Sequence, residues 1–223
     1  SDVYKRQLLC SAIISFIAIQ LRSVQENNVV LDMQKKIVSS AGLDEVYGSV
    51  ENAMSNIKTL IIDLDRGEIV DINPDTYELS KELREDGKYK FLSAEEDVAS
   101  IKKREKYSKV YIEYKDNEIN TLILPVRGYG LWGILYGYLA IEGDFNTVAG
   151  LEFYEHKETP GLGAEIDNPK WKALWKGKKI YQENGEVSLK VIKGSVMKTS
   201  DNFSYEIDGL SGATLTCNGV SNL

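Results

Sequence analysis

The chain has 223 residues, enough for one domain with an attached segment and a substantial core. It carries 27 basic and 34 acidic residues and a net charge of −7, which argues against nucleic acid as a partner, because phosphates call for a basic surface. The one histidine is His156, and the two cysteines, Cys10 and Cys217, lie at opposite ends of the chain. We therefore expect no metal site, neither zinc nor iron–sulfur, built by this chain alone.

The first feature along the chain is an apolar run from Leu8 to Leu21. As a helix it would cover roughly 21 Å, against the ~30 Å hydrocarbon core of a bilayer. Three interpretations fit: a signal-peptide core, a buried soluble helix, and a spanning helix whose beginning is missing. We expect the third, because no small-residue cleavage site follows and no polar face interrupts the run. Residues 1–22 are then an incomplete anchor. Lys5 and Arg6 ahead of the run predict that the main body lies outside the cytoplasm.

The next segment, residues 23–42, is predicted as an amphipathic linker helix. Its apolar side chains recur near helical spacing at Val30, Met33, Ile37 and Val38, and Gly42 supplies a stop signal. Residues 43–223 are predicted as one globular domain, with a charged and turn-rich insertion at about 73–106.

Extended segments recur through this domain and predict its fold class. They lie at residues 57–63, 67–72, 110–114, 120–126, 134–141, 147–154 and 187–191. A short helix with Pro169 in its first turn is predicted within 165–176. The expected architecture is mixed α+β, with a curved, mostly antiparallel sheet and peripheral helices, preceded by one N-terminal transmembrane helix.

Gly128–Gly133 matches the pattern G-x-G-x-x-G letter for letter. A dinucleotide site needs a helix after this pattern, whereas the residues that follow here favour a strand, so we reject that interpretation. Two others remain. Trp132 fills the core beside a glycine-shaped connection, or Trp132 offers an apolar wall to a flat ligand that the glycines let approach closely.

Near the C-terminal end, two threonine hydroxyls follow a run of small residues, Ser211-Gly212-Ala213-Thr214-Leu215-Thr216, with Asp208-Gly209 upstream. Taken alone, such a cluster is common turn material. It resembles the site at which the FMN-binding domain family carries flavin, bound through its phosphate to a threonine oxygen. The resemblance implies a covalent phosphoester of FMN at Thr216, with Ser211, Gly212, Ala213 and Thr214 around the cofactor. It also implies a separate flavin transferase that uses FAD, because a threonine hydroxyl is a weak nucleophile by itself.

A second segment, Glu158-Thr159-Pro160-Gly161-Leu162-Gly163, resembles the flavin-contacting loop of the same family. Its Pro-Gly pair predicts a tight turn. The resemblance implies cofactor contacts from Glu158, Thr159, Gly161, Leu162 and Gly163. If Trp132 forms an apolar wall, it is a further cofactor-binding residue. His156 is interpreted as structural, because no motif joins it to Asp208 and Ser211 as a catalytic triad.

The similarity extends over nearly the whole chain to the family of C subunits of the sodium-translocating NADH:quinone oxidoreductases. It is carried by Leu31–Ile37, Leu124–Tyr138, Asn146–Gly150 and the loop from Glu158. It implies an electron carrier in a six-subunit complex of the bacterial inner membrane, which oxidises NADH with ubiquinone and exports sodium ions. The globular domain would lie on the periplasmic side. The family continues beyond Leu223.

Other functions stay open at this point. The related G subunit of an Rnf-type complex carries flavin similarly, and a non-redox extracytoplasmic binding or assembly module would keep the same fold. An esterase that uses Ser211 or Thr216 has little support, since no base is in view for either hydroxyl.

Overall fold

The computed structural model describes residues 2–223, which divide after Lys35 into two compact units. A single helix, α1 (Asp2–Ser40), covers both the expected anchor and the expected linker. An 18-residue window of α1 has a mean hydropathy of 1.6 and is fully exposed, so by length and composition this helix can cross a membrane. Its last turn differs from the rest, because Ile37 and Val38 are buried while Val30 is exposed.

The remaining helices of the described chain are short. They are α2 (Leu43–Tyr47), α3 (Val50–Ser55), α4 (Leu79–Glu82), α5 (Pro169–Lys172) and α6 (Thr214–Ser221), with 3₁₀ turns at Pro74–Thr76, Gly163–Asp167, Ala173–Trp175 and Phe203–Tyr205. Local chemistry fixes two of the starts. The Ser49 hydroxyl accepts the Asn52 N–H at the start of α3, and the Asn168 side chain accepts the Lys170 N–H at the start of α5.

The strands among residues 2–223 form one large sheet and two small ones. In chain order they are β1 (Ile57–Asp63), β2 (Glu68–Val70), β3 (Tyr89–Phe91), β4 (Lys103–Glu105), β5 (Tyr107–Lys115), β6 (Glu118–Tyr129), β7 (Ile134–Glu142), β8 (Val148–Glu155), β9 (Lys190–Val191) and β10 (Glu206–Ile207). The large sheet has the order β2-β1-β5-β6-β7-β8 and is antiparallel at every pairing. The predicted mixed α+β class is confirmed.

The turn between β6 and β7 lies beyond the point at which β6 stops pairing with β5. Strand β6 pairs with β5 only as far as Ile123, whereas its pairing with β7 continues to Tyr129 opposite Ile134. Pro125 lies in this second part, where β6 has a ladder neighbour on one side only and a missing N–H is tolerated. The turn at residues 130–133 therefore projects from the sheet, and the predicted strand after Gly133 is confirmed.

Two hydrophobic cores cover the opposite faces of the large sheet. One contains Leu135, Leu151 and Phe153 and is closed by α5, the Ala173–Trp175 turn, β9, β10 and α6. The other contains Ile123, Tyr138 and Ala140 and is closed by the last turn of α1 together with α2 and α3. Alternate residues of β7 thus serve different cores, as the two-residue period of a strand requires.

The charged insertion at 73–106 has its own local structure and is fastened to the large sheet. It contains α4 and the β3–β4 ladder. The Arg127 guanidinium on β6 donates to the Lys103 carbonyl at 2.7 Å and to Glu105 Oε2 at 2.5 Å, and both side chains of this ion pair are buried. The Tyr129 N–H donates to the Ala99 carbonyl at 2.8 Å. The insertion therefore reaches the start of the 130–133 turn.

Two predicted elements are shorter than expected. The extended segment at 187–191 contains only the two strand residues of β9, and the helix expected within 165–176 is the single turn of α5 between two 3₁₀ turns. In both segments irregular backbone is held by contacts distant in sequence, such as the Ser221 hydroxyl that accepts the Val191 N–H.

Candidate functional site

Three segments that are far apart in the sequence meet at one end of the large sheet. The first is the turn 130–133 between β6 and β7, the second is the loop 156–163 after β8, and the third is the segment 209–216 that runs into α6. They include every residue that the sequence motifs assigned to the cofactor. The structure thus brings the two family-like motifs and Trp132 together.

The carboxylate of Glu158 joins the three segments. Its Oε1 accepts the N–H of Leu131 at 3.1 Å and that of Trp132 at 3.0 Å, and its Oε2 accepts the Thr216 hydroxyl. Glu158 is 5% exposed. A buried carboxylate must have hydrogen-bond donors to offset its lost hydration, and here the donors come from two different segments. We call this arrangement the Glu158 clamp: Glu158, the two N–H groups and the Thr216 hydroxyl.

Glycines make room for the clamp. A Cβ atom on Gly130 would lie 2.7 Å from Glu158 Oε1, and one on Gly163 would lie 2.6 Å from both Glu158 Oε2 and Thr216 Oγ1. Carbon atoms do not approach oxygen so closely in folded proteins. The last glycine of the Glu158–Gly163 motif is therefore explained by packing around the carboxylate, and not by backbone conformation.

The two threonines of the C-terminal motif have opposite environments. Thr214 is the first residue of α6 and is exposed, whereas Thr216 is 1% exposed with its hydroxyl inside the clamp. Residues two apart on a helix point to nearly opposite sides, so one of them faces solvent while the other faces the protein interior. Ahead of them, Gly212 has φ +74 and bends the chain into the helix, and Ala213 is buried.

The loop at 156–163 packs directly against the C-terminal segment. A tight turn spans Thr159 to Leu162, with the Leu162 N–H donating to the Thr159 carbonyl at 3.1 Å and Gly161 at φ +76, which confirms the predicted Pro-Gly turn. A Cβ on Gly212 would lie 3.1 Å from Leu162 Cδ2, so this side chain touches the bend before α6. Ser211, next to that bend, is exposed.

Trp132 lies on the surface and not in the core, so the interpretation that it fills the core is wrong. Its side chain is 62% exposed, and its Nε1–H donates to the Thr159 hydroxyl at 3.1 Å, which fixes the ring over the loop. Leu131, Leu162 and Leu215, which belong to the same three segments, are also exposed. Large apolar side chains on the surface of such a site are typical of a place where an apolar group binds.

His156 has the structural role expected of it. Its Nδ1 accepts the Glu158 N–H at 3.2 Å, so its Nε2 carries the proton and donates to Asp167 Oδ2 at 2.8 Å. The ring thus holds the backbone on which Glu158 sits. Asp208 is also engaged, accepting the Val196 N–H through Oδ1 at 2.7 Å. The described residues do not bring His156, Asp208 and Ser211 into a triad.

A cavity of about 420 Å³ opens beside Thr214. Its lining includes Lys193, Ser195, Ser211, Thr214 and Asn218, and within the described residues no carboxylate contributes to it. The sequence patterns did not identify Lys193 or Asn218, because neither stands in a motif. A lysine, hydroxyl groups and an amide in an acid-free cavity favour an anionic group, in a chain whose net charge is −7.

Burial raises the pKa of the Cys217 thiol, which lines the same cavity. Its Sγ accepts the Leu210 N–H at 3.3 Å. A buried thiol with a raised pKa is a poor nucleophile, so Cys217 serves as a small packed side chain.

Comparisons with known proteins agree with this geometry. A family model described as the FMN-binding domain matches residues 130–223, which contain all three segments of the site. The fold and the site therefore define the class as that of FMN-binding domain proteins.

Relatives define the family more closely. The C subunit of the Na⁺-translocating NADH-quinone reductase of Pseudomonas aeruginosa is 47% identical over 221 residues, which cover 97% of this chain and 85% of the relative. The corresponding protein of Vibrio vulnificus is 42% identical over 216 residues, covering 96% and 84%. The chain belongs to this family, the C subunits (NqrC) of the Na⁺-translocating NADH-quinone reductases.

Solved structures show the same fold. The crystal structure of Shewanella oneidensis NqrC matches with a TM-score of 0.76 and 30% identity, over 85% of this chain and 87% of that chain. The crystal structure of the corresponding Parabacteroides distasonis protein matches with a TM-score of 0.64 and 29% identity, over 90% and 89%.

Proposed function

We propose that this chain is the FMN-carrying electron-transfer subunit of a complex that oxidises NADH with quinone and exports sodium ions. The family membership supports this proposal. The main structural observation behind it is that one site brings together Trp132, the Glu158–Gly163 loop and the Thr214 segment. FMN supplies the one- and two-electron redox chemistry when bound. The relatives are named as NADH-quinone reductase subunits, so the Rnf-type alternative is not favoured.

The residues present fit an FMN tethered through its phosphate. The exposed Thr214 hydroxyl lies at the start of α6, where the first N–H groups have no intrahelical partner and the helix dipole favours an anion. The acid-free cavity beside it contains Lys193. Trp132 and Leu162 offer exposed apolar surface for the ring system. A tether would keep the cofactor at an open site by a high effective concentration.

We propose Thr216 as the attachment residue, as the resemblance of the C-terminal motif implies. The Thr216 hydroxyl is buried and donates to the Glu158 carboxylate. Attachment there requires this hydroxyl to leave the clamp, and the exposed Thr214 hydroxyl is the alternative acceptor.

Mass spectrometry of protein matured by a flavin transferase tests both the tether and its position. We expect the intact mass to rise by one FMN less one water, and the labelled peptide to carry FMN on Thr216. The Thr216→Ala variant is expected to lose the covalent flavin, while Thr214→Val keeps it. Covalent flavin retained in Thr216→Ala would move the attachment to Thr214. Colourless wild-type protein at its bare polypeptide mass would favour the non-redox module.

We further propose that α1 anchors the chain in the bacterial inner membrane as a single pass. Its apolar window supports the membrane contact, and Lys5 and Arg6 ahead of that window support a periplasmic globular domain. The partners are then the other members of a six-subunit complex, with ubiquinone as the final acceptor. Accessibility of a cysteine introduced at exposed Ser211 to a membrane-impermeant reagent, in intact cells and in lysed cells, tests the orientation.

A further inference from the structure

We infer that a basic face beside the C-terminal motif docks onto an acidic surface of the subunit that exchanges electrons with the flavin. This basic face consists of four lysines that line two cavities next to the motif, Lys176, Lys178, Lys193 and Lys198. The inference rests on the proposed function, and the closing experiments separate its failure from the failure of that function.

The charge of the chain is unevenly distributed along the sequence. Residues 168–200 contain eight lysines and two glutamates, a charge of +6, although the net charge of the whole chain is −7. Three of these lysines, Lys172, Lys179 and Lys190, form ion pairs with carboxylates, and the other five have no ion pair in the part of the chain that the structure describes. Ammonium groups that are not paired leave a positive potential at the surface.

Two cavities bring four of the five unpaired lysines close to the C-terminal motif. A cavity of about 330 Å³ contains Lys176, Lys178 and Lys198, and the cavity beside Thr214 contains Lys193.

The segment 194–196 lies between these cavities and is hydrogen-bonded to the start of the motif. The Gly209 N–H donates to the Gly194 carbonyl at 2.8 Å, and the Val196 N–H donates to Asp208 Oδ1 at 2.7 Å. The basic face therefore borders the segment that is proposed to carry the flavin.

The acids of the larger basic cavity are engaged elsewhere. Glu206 and Asp208 also line it, but Glu206 lies 3.6 Å from the Lys190 ammonium, and Asp208 accepts a backbone N–H. Lys178 is 9% exposed, and its ammonium donates to the Phe203 carbonyl at 2.6 Å and lies 4.0 Å from the centroid of the Phe203 ring. Burial lowers the pKa of this ammonium and outweighs the opposite effect of Asp208 and Glu206. An acidic group that reached this cavity would supply the missing counter-charge.

The position of the basic face favours a redox partner over a lipid surface. A flavin passes electrons only to a group that comes close to it, so a surface that docks beside the motif is well placed for electron transfer. Complementary charges orient two proteins and raise the rate of productive encounter more than they raise affinity. This suits a carrier that must dock and release in every turnover.

Carbodiimide cross-linking of the assembled complex tests the contact, because this reagent joins ammonium and carboxylate groups that touch. We expect mass spectrometry to find Lys176 and Lys198 joined to aspartate or glutamate residues of another subunit. Lys58 and Lys115, which are exposed on the large sheet, are the controls and should stay free. A complex in which other lysines cross-link between subunits while Lys176 and Lys198 do not would overturn the inference. Protection of these two lysines from acetylation by vesicles that contain phosphatidylserine would then assign the face to a membrane.

Charge reversal tests whether the face serves electron transfer. In the assembled complex, Lys176→Glu/Lys198→Glu is expected to slow flavin reduction after rapid mixing with NADH by about tenfold at low salt. The difference from wild type should shrink at about 1 M salt, where the Debye length is only about 3 Å. Lys58→Glu/Lys115→Glu changes the net charge equally and should keep the wild-type rate.

The covalent flavin content and the melting temperature of each variant are measured first, which separates the two proposals. A folded, flavin-loaded Lys176→Glu/Lys198→Glu protein that is reduced at the wild-type rate would overturn the inference and leave the proposed function standing. Where this variant does not fold, Lys176→Gln/Lys198→Gln replaces it, and an unchanged rate would count equally against the inference. Wild-type protein without covalent flavin would contradict the proposed function, and with it the redox role of the docked partner.

Discussion

At the scale of single residues, the site depends on two glycines that leave room for a buried carboxylate. The Glu158 carboxylate can reach Thr216 and the 130–133 turn only because Gly130 and Gly163 have no side chains. Neither glycine has the positive φ that usually explains a glycine, since both are outside the left-handed set of this chain. Glycine is needed at both positions because the buried carboxylate and its hydrogen-bond partners occupy the space that a side chain would fill.

Gly163→Ala is expected to destabilise the protein. The added methyl would collide with Glu158 Oε2 and Thr216 Oγ1, and overpacking of this kind costs about 1–3 kcal/mol. Gly133→Ala is the matched control, because its nearest neighbour is the flexible Lys157 side chain at 3.5 Å, and its effect should stay within about 1 kcal/mol. Urea unfolding of both variants measures the difference. Equal stability of the two would contradict tight packing of the clamp.

At the scale of elements, the charged insertion is coupled to the large sheet by one buried ion pair. Arg127 on β6 and Glu105 on β4 have side chains that are 7% and 11% exposed. The same strand β6 leads to the 130–133 turn. The insertion is therefore fastened to the strand that presents Trp132, even though its sequence suggests only a solvated surface region.

Arg127→Ala is expected to reduce the free energy of unfolding by about 3–5 kcal/mol, because the Glu105 carboxylate stays buried without its partner. The double variant Arg127→Met/Glu105→Leu should lose much less, since no charge is left behind. Removal of the exposed Lys90–Glu96 pair of the same insertion, by Lys90→Ala, should change stability by no more than about 1 kcal/mol. Chemical unfolding monitored by tryptophan fluorescence reports all three. A small loss in Arg127→Ala would show that the insertion is held elsewhere.

A second element-scale prediction concerns the tyrosines on the face of the sheet opposite α6. Tyr111, Tyr138 and Tyr154 pack in a row, with ring centroids 5.8 Å and 5.0 Å apart. Burial raises the pKa of Tyr111 to about 12 and raises the pKa of Tyr138 and Tyr154 as well. The folded state thus holds these protons more tightly than the unfolded state, where tyrosine has its ordinary pKa of about 10.

Stability should therefore be unaffected by these groups below pH 10 and should fall between about pH 10 and pH 12, as the unfolded chain releases protons that the folded chain keeps. Urea unfolding at pH 8, 10 and 11 measures this loss. The Tyr111→Phe variant should show a shallower decline, because one of the titrating groups is gone. An identical pH dependence in Tyr111→Phe and wild type would rule out Tyr111 as a contributor.

At the scale of the whole molecule, the boundary between the two compact units falls inside α1. The division falls after Lys35, and the last turn of the helix supplies Ile37 and Val38 to the core beside α2 and α3. Ser40 is also buried there, with its hydroxyl donating to the Ile37 carbonyl at 2.7 Å. The globular body thus includes the end of the predicted linker helix.

A polypeptide of residues 36–223 is expected to be soluble and to unfold cooperatively, whereas one of residues 43–223 should be several kcal/mol less stable. The second lacks Ile37 and Val38, and loss of each buried aliphatic side chain costs about 2–5 kcal/mol. Thermal unfolding of the two, with membrane fractionation of the full chain as reference, measures this. Equal melting temperatures would mean that α1 contributes nothing to the core.

The sequence by itself determined what depends on neighbours along the chain. Alternation of apolar residues located β1, β6, β7 and β8 closely, Gly42 ended α1, and the Pro160-Gly161 pair gave the turn before Gly163. The two motifs indicated the FMN-binding domain family, and the longer matching runs Leu31–Ile37, Leu124–Tyr138 and Asn146–Gly150 indicated the C subunits. Each of these signals is local, because periodicity, turn chemistry and hydropathy depend on residues that are close together in the sequence.

Only the tertiary structure decided what each motif residue touches. Glu158 meets a hydroxyl 58 positions away, and Arg127 meets Glu105 across 22 positions. The exposure of Trp132 and the burial of Thr216 follow from such contacts, and neither can be deduced from residue type, because Trp and Thr occur both inside and outside proteins. The two threonines of the motif differ only in the side of α6 that they occupy, and that side is set by what the helix packs against.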